Sequence, residues 1–450
     1  MFAHFAARTP DAPALRYERD GGLCTMTYAQ LVETVEKRAG ELRQCGKTCL
    51  GVLADGTLPC VVEIFAAVRA GMQVVLLDES VPTPLLRGLL PYTDVDMLWG
   101  DGELCTELQT SLSRGVSSGA GKILFFTSGT TQRAKAVVLT ERSLCASAFN
   151  GGTLLPLYGG DTLLCMLPIA HVFGFVCGIL WGLSCGACVA LGRGARRYLD
   201  DCAFFHPTAV SVVPMLLGFM IKQQLFNDEL KLLLVGAGDC PETLLRAAKA
   251  MGRRVCFGYG LTETSSGVAL SIGDDPYAMT ICPDDVITIA EDGEILIRIN
   301  SCMMKGYYKC QEDTNVSLSG GALHTGDLGR IDEKGRLFVI GRKKDILVLP
   351  DGTKVFLPEA EAEAGRLLGA GDYALALVDG RVALVVHGDE REDAALLAAL
   401  TPFQNARPMG QRIARIIRRD EPLPRTATGK LRRWELNCAL AEDAAEQDRN

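Results

Sequence analysis

One stretch of the chain, residues 127–135, concentrates hydroxyl and glycine residues ahead of a lysine. The donor groups of this stretch belong to Thr127, Ser128, Gly129, Thr130, Thr131 and Lys135. Apolar residues at 123–126 and 136–139 flank it and predict two buried strands joined by a loop. Hydroxyls, backbone N–H groups and an ammonium in one small volume suit a polyphosphate. An ordinary Ser/Thr-rich hairpin has a similar composition, and the stretch is not a Walker loop, because Gly-x-x-x-x-Gly-Lys-Ser/Thr is absent from it.

Two further predicted strands, residues 231–235 and 254–257, each end in a glycine-containing turn. The turns are Gly236, Ala237 and Gly238 after the first strand, and Gly258, Tyr259, Gly260, Leu261, Thr262 and Glu263 after the second. Glycine lets a backbone approach a flat ligand closely, Tyr259 can stack on a ring, and Glu263 can offer oxygen to magnesium. Each turn alone is an ordinary strand end with a surface acid, whereas both turns and the hydroxyl loop together favour a nucleotide site.

A histidine follows another predicted strand. Residues 163–168 form this strand, which ends at Pro168, and the residues after it include His171, Val172 and Phe173. Open α/β sheets bind their ligands at such strand ends. Because a histidine between apolar residues is more often packed than catalytic, a place in a pocket wall is its more common role.

The composition indicates a globular protein of two or three domains. The chain has 450 residues, of which 48% are hydrophobic and 22% are charged, and this length exceeds what one core usually spans. The formal net charge of −8 argues against a nucleic-acid or anionic-membrane partner. The 17 cysteines show no framework spacing and no signal peptide precedes them, which predicts a reducing cytoplasm. Cys185 and Cys188 form a Cys-x-x-Cys pair without the further ligands of a zinc site.

Residues 173–192 carry no charge and are, on length alone, a candidate transmembrane segment. We favour a buried helix followed by a strand at residues 187–191, because Gly186 interrupts the run and no other segment resembles it. The expectation is a protein with no integral membrane span.

The order of predicted elements indicates parallel α/β layers in the first part of the chain. Thr27 suits the N-cap of an amphipathic helix over residues 28–45, and a strand, a helix and a strand follow at 49–53, 58–70 and 73–77. Strands that alternate with helices in this way form parallel sheets.

The later part of the chain has a different pattern. From residue 287 the predicted strands are short and antiparallel, with hairpin turn signals between them. A charged junction at residues 341–345 precedes a small α+β domain, and a basic tail at 424–433 contains Lys430. A solvated surface is the default interpretation of such a tail.

Taken in order, these stretches resemble the adenylate-forming superfamily, which groups acyl-CoA synthetases, adenylation domains of nonribosomal synthetases and luciferases. The resemblance runs from Pro10 to about Leu436. Its motifs are Thr127-Ser-Gly-Thr-Thr-x-x-x-Lys135, Gly258-Tyr-Gly-Leu-Thr-Glu263, Thr325-Gly-Asp-Leu328, Gly341-Arg342 and Pro424-Arg-Thr-x-x-Gly-Lys430. The implied fold class is α/β, with a large N-terminal domain of parallel α/β sheets and a small β-barrel-like part, followed by a small mobile α+β C-terminal domain.

The resemblance implies domain bounds. Residues 1–341 would be the adenylation domain that binds ATP and acid, residues 342–345 the hinge with Lys344, and residues 346–450 the small domain. Lys430 of the small domain would neutralise charge as the carboxylate attacks the α-phosphorus. After the domain swings, the turn with Gly352 and Lys354 would line a tunnel for a thiol.

The resemblance also implies roles for individual residues. The ATP phosphates would lie in the loop from Thr127 to Lys135. The adenine would contact Gly236, Ala237, Gly238 and Tyr259, and Gly258 and Gly260 would also belong to the ATP- or AMP-binding residues. Thr262 would contact the α-phosphate, Glu263 would bind magnesium, and Asp327 and Arg342 would hydrogen-bond the ribose. The catalytic residues would be Lys430, Thr262, Glu263 and His171, and the acyl pocket would include His171, Val172, Phe173 and Gly258.

The phosphate loop departs from the family pattern. Gln132, Ala134 and Ala136 stand where the family has glycine, proline and glycine, and the tryptophan often found before the Thr-Gly-Asp motif is missing. The lysine and hydroxyls are retained, so ATP binding is expected. A non-catalytic nucleotide-binding homologue is one alternative that this departure leaves open.

The residues from Phe173 onward indicate which class of carboxylic acid the protein activates. Amino-acid-activating members of the superfamily have an aspartate here that pairs with the substrate ammonium, whereas residues 173–176 of this chain contain no carboxylate. An unpaired ammonium in an apolar pocket would cost several kcal/mol, so the resemblance implies that the acid is not an amino acid. The motifs are instead similar to the fatty acyl-CoA synthetase branch. We expect activation of an apolar acid, aliphatic or aryl with a fatty acid preferred, to acyl-AMP with ATP and magnesium, and then transfer to coenzyme A. Transfer to a phosphopantetheinyl carrier protein is the close alternative.

Overall fold

The structure is a computed structural model that describes residues 2–112, 121–127, 135–349, 354–425, 431–433 and 435–440. It divides into two compact units. The first comprises the described residues up to Thr127, those from Lys135 to Thr325 and those from Gly329 to Val339. The second comprises Gly326–Leu328 and the described residues from Ile340 onward. The predicted bounds at residues 341 and 345, and the hinge between them, stay predictions.

The strands, numbered in chain order, are β1 (Pro13–Arg19), β2 (Gly22–Thr27), β3 (Cys49–Leu53), β4 (Gln73–Leu77), β5 (Met97–Trp99), β6 (Lys122–Phe126), β7 (Ala136–Thr140), β8 (Thr162–Cys165), β9 (Cys188–Leu191), β10 (Ala209–Val212), β11 (Leu232–Val235), β12 (Arg254–Leu261), β13 (Ser266–Leu270), β14 (Met279–Ile281), β15 (Ile287–Ile289), β16 (Glu294–Arg298), β17 (Gly306–Tyr307), β18 (Leu318–Ser319), β19 (Ala322–Ile331), β20 (Arg336–Arg342), β21 (Ile346–Val348), β22 (Lys354–Phe356), β23 (Asp372–Val378), β24 (Arg381–His387) and β25 (Ile413–Arg419).

The α-helices are α1 (Phe2–Arg8), α2 (Tyr28–Gln44), α3 (Leu58–Ala70), α4 (Thr83–Tyr92), α5 (Gly102–Leu108), α6 (Glu141–Leu154), α7 (Val172–Phe175), α8 (Trp181–Ser184), α9 (Tyr198–Phe205), α10 (Pro214–Lys222), α11 (Glu242–Ala250), α12 (Gln311–Ser317), α13 (Leu357–Leu368), α14 (Asp393–Ala399) and α15 (Thr401–Asn405). A π-helical turn, Val176–Leu180, joins α7 to α8.

The larger sheet has the strand order β15-β16-β19-β20-β14-β13-β12-β11-β10-β8-β9-β1-β2, with β18 paired to β19. Its central strands β9, β8, β10, β11 and β12 run parallel to one another. All residues of β8, β9, β10 and β11 are buried, as expected where helices cover both faces of a parallel sheet. The predicted parallel α/β architecture is confirmed here, and the predicted antiparallel strands continue the same sheet from β13 onward.

The second sheet has the order β17-β7-β6-β4-β3-β5. Helix α2 begins as predicted, because Thr27 accepts from the N–H of Gln30, whose side chain accepts from the Thr27 N–H in return. Leu31, Val35 and Ala39 of α2 are buried in the core that this helix shares with α3. The strand, helix and strand predicted at 49–77 are confirmed.

The run without charge forms a buried helical segment and a strand. The segment α7, π turn and α8 ends before Gly186, whose φ of +74° is left-handed, and β9 follows. In the part of the chain that the structure describes, no helix combines the length and the apolar character that crossing a membrane requires.

The second unit contains a three-stranded sheet of β23, β24 and β25. β23 and β24 form a hairpin, and β25 runs parallel to β24, with α14 and α15 in the connection. Arg433 ties the end of the unit to its beginning, since its guanidinium lies 3.0 Å from Asp345 Oδ1 and 2.5 Å from Glu361 Oε2.

Candidate functional site

The strands on either side of the hydroxyl-rich stretch form an antiparallel pair. β6 and β7 pair in register from Lys122↔Thr140 to Phe126↔Ala136, and the Thr127 N–H donates to the Lys135 carbonyl over 3.0 Å. The two predicted strands on either side of residues 127–135 are confirmed. Residues 128–134, including Ser128, Gly129, Thr130 and Thr131, lie outside the described residues, so their contacts with phosphate stay predictions.

Lys135 contacts two side chains from a distant part of the chain. Its Nζ lies 3.0 Å from Asp313 Oδ2 and 4.7 Å from the centre of the Tyr307 ring. This proximity results from strand pairing, because β17 pairs with β7 and places Tyr307 opposite Val137. Val137 lies two positions after Lys135, so the two side chains are on the same face of the strand. The carboxylate and the aromatic face together orient the ammonium.

Glu263 contacts the same tyrosine through its hydroxyl. The Tyr307 O–H donates to Glu263 Oε1 over 2.7 Å. Burial, helped by the negative charge of Glu263, raises the pKa of the Tyr307 phenol, which therefore keeps its proton as a donor. The Glu263 carbonyl in turn accepts from the Met304 N–H over 2.7 Å, near the start of β17. One tyrosine thus links the loop lysine to the carboxylate assigned to magnesium.

The surroundings of Glu263 suit a magnesium ion. Among the described residues, no group of three or more His, Cys, Asp or Glu side chains could hold a metal. Magnesium is usually bound by one or two carboxylates together with phosphate oxygens and water, so a single acid is enough. Glu263 is partly exposed, and Oε1 is the oxygen that the tyrosine occupies. Oε2 would then face the ion, with the nucleotide phosphates as further ligands.

His171 lies at the surface of the site with a charged partner. Its side chain is 52% exposed, and Nε2 lies 3.0 Å from Asp78 Oδ2. The hydrogen bond from His171 is the main reason that the pKa of Asp78 lies well below its usual range. Asp78 directly follows β4 of the second sheet and His171 directly precedes α7, in the connection that leaves β8 of the larger sheet. His171 is therefore not a packed core histidine, and its catalytic and acyl-pocket roles stay predictions.

Two predicted parts of the site meet at Phe173. A Cβ on Gly236 would lie 2.8 Å from the Phe173 ring, so the predicted adenine turn and the predicted acyl pocket are in contact. Ala237 adopts a left-handed φ of +61°, which tightens this turn after β11. Gly174 is equally constrained, because a Cβ there would lie 2.2 Å from the Pro168 carbonyl oxygen. Val172, between His171 and Phe173, is buried.

The predicted glycine turn at residues 258–260 is wrong. β12 continues to Leu261, pairing with β11 up to Phe257 and then antiparallel with β13 from Gly258. The glycines serve close packing between strands, since a Cβ on Gly260 would lie 1.9 Å from the Ser266 carbonyl oxygen. The register shifts between Tyr259 and Gly260, and Thr262 and Glu263 follow in a 3₁₀ turn.

An apolar cavity of about 30 Å³ lies next to β12. Its walls come from α6, the π turn, α8, β11 and β13. A Cβ on Gly258 would lie 3.1 Å from Leu270 and 3.6 Å from Leu234, and both leucines line the cavity. The cavity is thus one residue layer away from Gly258, which the sequence assigned to the acyl pocket.

Helix α6 is fixed at both ends. Thr140 caps its start by accepting from the Ser143 N–H. Nearer its end, Asn150 donates to Asp285 Oδ2 over 2.8 Å and accepts from the Asp284 N–H over 2.9 Å. Burial raises the pKa of Asp285 to about 6. These contacts hold the helix face that forms one wall of the cavity.

In the second unit the two residues assigned to the ribose are paired. Arg342 Nε lies 2.7 Å from Asp327 Oδ1, and the Asp327 side chain is 5% exposed whereas that of Arg342 is 46% exposed. Asp327 lies on β19 and Arg342 ends β20. The two strands are neighbours in the sheet, so the structure brings this acceptor and this donor together.

Comparison with known proteins identifies the family. Residues 117–308 match the model of the family described as AMP-binding enzyme. The chain is 26% identical over 487 residues to 2-succinylbenzoate–CoA ligase of Bacillus cereus, which covers 96% of this chain and 97% of that protein. The chain belongs to the adenylate-forming superfamily. The superfamily predicted from the sequence motifs is thereby confirmed.

Other members of the superfamily extend the comparison. Indoleacetate–CoA ligase of Aromatoleum aromaticum is 26% identical over 510 residues, covering 97% of this chain and 96% of that protein. The structure of O-succinylbenzoate coenzyme A synthetase from Bacillus subtilis in complex with AMP has a TM-score of 0.82 at 22% identity, covering 97% of each chain. The same enzyme in complex with ATP and magnesium ion has a TM-score of 0.79, at 22% identity and covering 97% of this chain and 98% of that chain. This likeness confirms the predicted α/β fold of a large N-terminal and a small C-terminal part.

The described part of the structure does not test the roles that the resemblance assigns to four further residues. Lys430 and Gly352 lie outside the described residues. Lys344 lies in the 3₁₀ turn Lys343–Asp345 and Lys354 begins β22, but their side chains are likewise outside the described part. Their roles stay predictions.

Sequence reasoning missed three side chains of the site. Tyr307 and Asp313 contact Lys135, and Asp78 contacts His171. No local pattern marks them, because each reaches its partner only through pairing or packing of distant segments. The sole sequence signal is the position of Asp78 at a strand end, where ligand sites of α/β sheets lie.

Proposed function

We propose that the protein is an AMP-forming acid–thiol ligase that activates an aryl carboxylic acid with ATP and transfers it to coenzyme A. The enzyme class and the use of ATP, magnesium and coenzyme A, which the motifs predict, are confirmed by the comparisons. In the first step the carboxylate attacks the α-phosphorus and pyrophosphate leaves. In the second step the thiolate of coenzyme A attacks the acyl carbon, and AMP leaves as the thioester forms.

The observation that carries the proposal is the convergence of Lys135 and Glu263 on Tyr307. Departure of pyrophosphate concentrates negative charge on the leaving phosphates, and positive groups held in fixed positions stabilise that charge. Lys135 would supply a cation directly. Glu263 would hold magnesium, which when bound neutralises phosphate charge.

The pairing of Lys135 with Asp313 implies an exchange of partners. The Lys135 side chain is 29% exposed and the Asp313 side chain is 48% exposed, so both lie within reach of a ligand. Phosphate oxygens would replace the Asp313 carboxylate beside the ammonium, while the Tyr307 ring keeps the lysine in place. An ion pair this exposed is weak, typically about 1 kcal/mol or less, so the exchange costs little.

The preference for an aryl acid has two supports. The relatives reported above are named for 2-succinylbenzoate and indoleacetate, and both of these acids contain an aromatic ring. The cavity beside Gly258 holds about 30 Å³, room for about two water molecules, which suits a small ring substituent better than an alkyl chain. The fatty acid that the sequence favoured is therefore replaced by an aryl acid in this proposal.

The test is AMP release over a panel of fatty and aryl acids, with and without coenzyme A and with products detected by mass. We expect acid-dependent AMP formation with aryl acids and a matching aryl-CoA. Omission of magnesium is the control and should abolish turnover.

Other outcomes distinguish the alternatives. Acyl-adenylate without thioester would indicate a carrier protein as the acceptor. Turnover restricted to long fatty acids would contradict the aryl assignment. ATP binding without turnover of any acid would mean that the chain is a non-catalytic homologue.

A further inference from the structure

The segment that connects β13 to β14, residues 271–278, is anchored to β12 where that strand changes partners. β12 pairs with β11 up to Phe257 and with β13 from Gly258. The Ser271 N–H donates to the Phe257 carbonyl over 2.8 Å, and the Ser271 hydroxyl accepts from the Phe257 N–H over 2.8 Å. The segment is therefore fixed two residues before Tyr259, which is predicted to contact the adenine.

Tyr277, near the other end of this segment, contacts both β12 and the turn after β11. Its ring packs edge to face against Phe257, with ring centres 6.1 Å apart. Its hydroxyl donates to the Cys240 carbonyl over 2.7 Å, two residues after Gly238 of the predicted adenine turn. Burial raises the pKa of the Tyr277 phenol, which therefore keeps its proton as a donor. One side chain thus joins the two places at which the adenine is predicted.

Helix α11 holds the middle of the same segment. Lys249 Nζ donates to the Gly273 carbonyl over 2.9 Å and to the Asp274 carbonyl over 3.1 Å. Lys249 lies on α11, which begins two residues after Cys240. The turn and the helix that follows it are therefore both tied to residues 271–278.

The predicted adenine turn has a backbone shape that needs such support. Ala237 has a φ of +61°, a left-handed conformation in which a Cβ crowds the following carbonyl oxygen. A conformation of this kind persists only where the surrounding structure imposes it. At the start of the turn, the Phe173 ring fills the space beside Gly236. At its end, the hydrogen bond from Tyr277 fixes the carbonyl of Cys240.

We infer that Tyr277 is a positioning residue for ATP, which keeps residues 236–240 in the left-handed shape that receives the adenine. The inference rests on the proposed function, because the resemblance alone assigns this turn to the adenine. Tyr277 acts through Cys240 and Phe257, not by touching the nucleotide. Without its hydroxyl the turn populates other conformations, and the apparent dissociation constant rises as the fraction of protein ready to bind falls. Bound ATP restores the turn, so kcat is unchanged.

The test is Tyr277→Phe, which keeps the ring against Phe257 and removes the hydroxyl. Calorimetry with ATP and magnesium, without acid, gives the dissociation constant, and AMP release gives the KM for ATP. We expect both to rise by about five- to tenfold, the equivalent of roughly one hydrogen bond. kcat and the KM for coenzyme A should keep their wild-type values.

Tyr28→Phe is the matched control. The Tyr28 hydroxyl also donates to a backbone carbonyl, that of Ala187, over 2.8 Å. This contact joins the start of α2 to the residue before β9, away from the predicted adenine turn. Both variants should unfold at a lower temperature than the wild type, but Tyr28→Phe should keep the wild-type dissociation constant for ATP.

Two further substitutions test the reason for the effect. Glycine adopts a φ of +61° without a steric cost, so in the background of Ala237→Gly the change Tyr277→Phe should raise the dissociation constant by no more than about twofold. Lys249→Met removes the contacts with Gly273 and Asp274 and leaves the Tyr277 hydroxyl in place. It should weaken ATP binding by a smaller factor, and it tests the segment even if Tyr277→Phe does not fold.

Four results would each overturn the inference. They are an unchanged dissociation constant for ATP in Tyr277→Phe, an equal rise in Tyr28→Phe, the same rise with and without Ala237→Gly, and a fall in kcat without a change in the KM for ATP. Calorimetry needs no turnover, so absence of AMP release with every acid would overturn the proposed function while ATP binding still tested Tyr277. A wild type that does not bind ATP would overturn both.

Discussion

At the scale of single residues, the Tyr307 side chain makes two separate contacts, one through its ring and one through its hydroxyl. Its ring lies under the ammonium of Lys135, and its hydroxyl holds one oxygen of Glu263. A hydrogen bond from an outer partner fixes the orientation of a metal-binding carboxylate, and its loss typically lowers metal affinity by about 10–100-fold. The ring and the hydroxyl can be separated by mutation, since phenylalanine retains only the ring.

Tyr307→Phe should therefore weaken the binding of magnesium more than the binding of ATP. We expect the magnesium concentration for half-maximal AMP release to rise by about tenfold, with a smaller change in the KM for ATP because the ring beside Lys135 is retained. The measurement is a magnesium titration of AMP release at saturating ATP and acid.

Tyr308→Phe is the matched control for that titration. Tyr308 is the next residue, and its hydroxyl donates to Asp94 Oδ2 over 2.8 Å, in a different contact. An equal shift in the two variants would show that Tyr307 has no particular role at the carboxylate.

At the scale of elements, the small residues of α6 create the cavity. Ser147, Ala148, Gly151 and Gly152 of this helix line it, opposite a helical segment whose middle is a π turn. Glycine in the interior of a helix costs about 0.5–1 kcal/mol relative to alanine. Gly151 and Gly152 therefore lower the stability of α6, and their lack of side chains leaves the space that forms the cavity.

Gly151→Ala should stabilise the protein, whereas Gly152→Ala should not. A Cβ on Gly151 meets no atom within 4 Å, but one on Gly152 would lie 3.3 Å from Cys185 Sγ. We expect Gly151→Ala to raise the free energy of unfolding by about 0.5–1 kcal/mol, and Gly152→Ala to gain less or to lose stability through crowding. Urea denaturation of both variants checks this, and equal effects would mean that the space beside the helix does not decide the outcome.

At the scale of the whole molecule, the functional groups are divided between two compact units. Lys135 and Glu263 belong to the first unit, and Asp327 and Arg342 to the second. The resemblance assigns Lys430, near the end of the chain, to the adenylation step. We propose that the protein uses this lysine in one of its two reactions and not in the other.

Lys430→Ala should accordingly separate the two reactions. Formation of acyl-adenylate should fall on the order of a hundredfold, the usual effect of removing one group that stabilises developing charge. Conversion of supplied acyl-adenylate and coenzyme A to thioester should continue. Arg432→Ala is the control, since this exposed basic residue of the same tail pairs with Glu435, and a wild-type adenylation rate in Lys430→Ala would refute the assignment.

Local patterns in the sequence were sufficient for most of the elements and for the family. The apolar runs around residues 127–135 encode β6 and β7, and Thr27 with Gln30 encodes the start of α2, because strand pairing across a short loop and helix capping depend on neighbours in sequence. The order of the motifs along the chain is enough to identify the superfamily. The turn predicted at Gly258 and Gly260 is wrong, because glycine is equally typical of a turn and of a close contact between strands.

Only the tertiary structure decided how the site residues meet. Tyr307 reaches Lys135 because β17 pairs with β7, and no feature near either residue in the sequence specifies that pairing. The cavity with Ser147 arises in the same way, from side chains of α6, α8, β11 and β13 that converge in space. Hydrophobic periodicity states which face of an element is buried, but the identity of its partner depends on the packing of the whole chain.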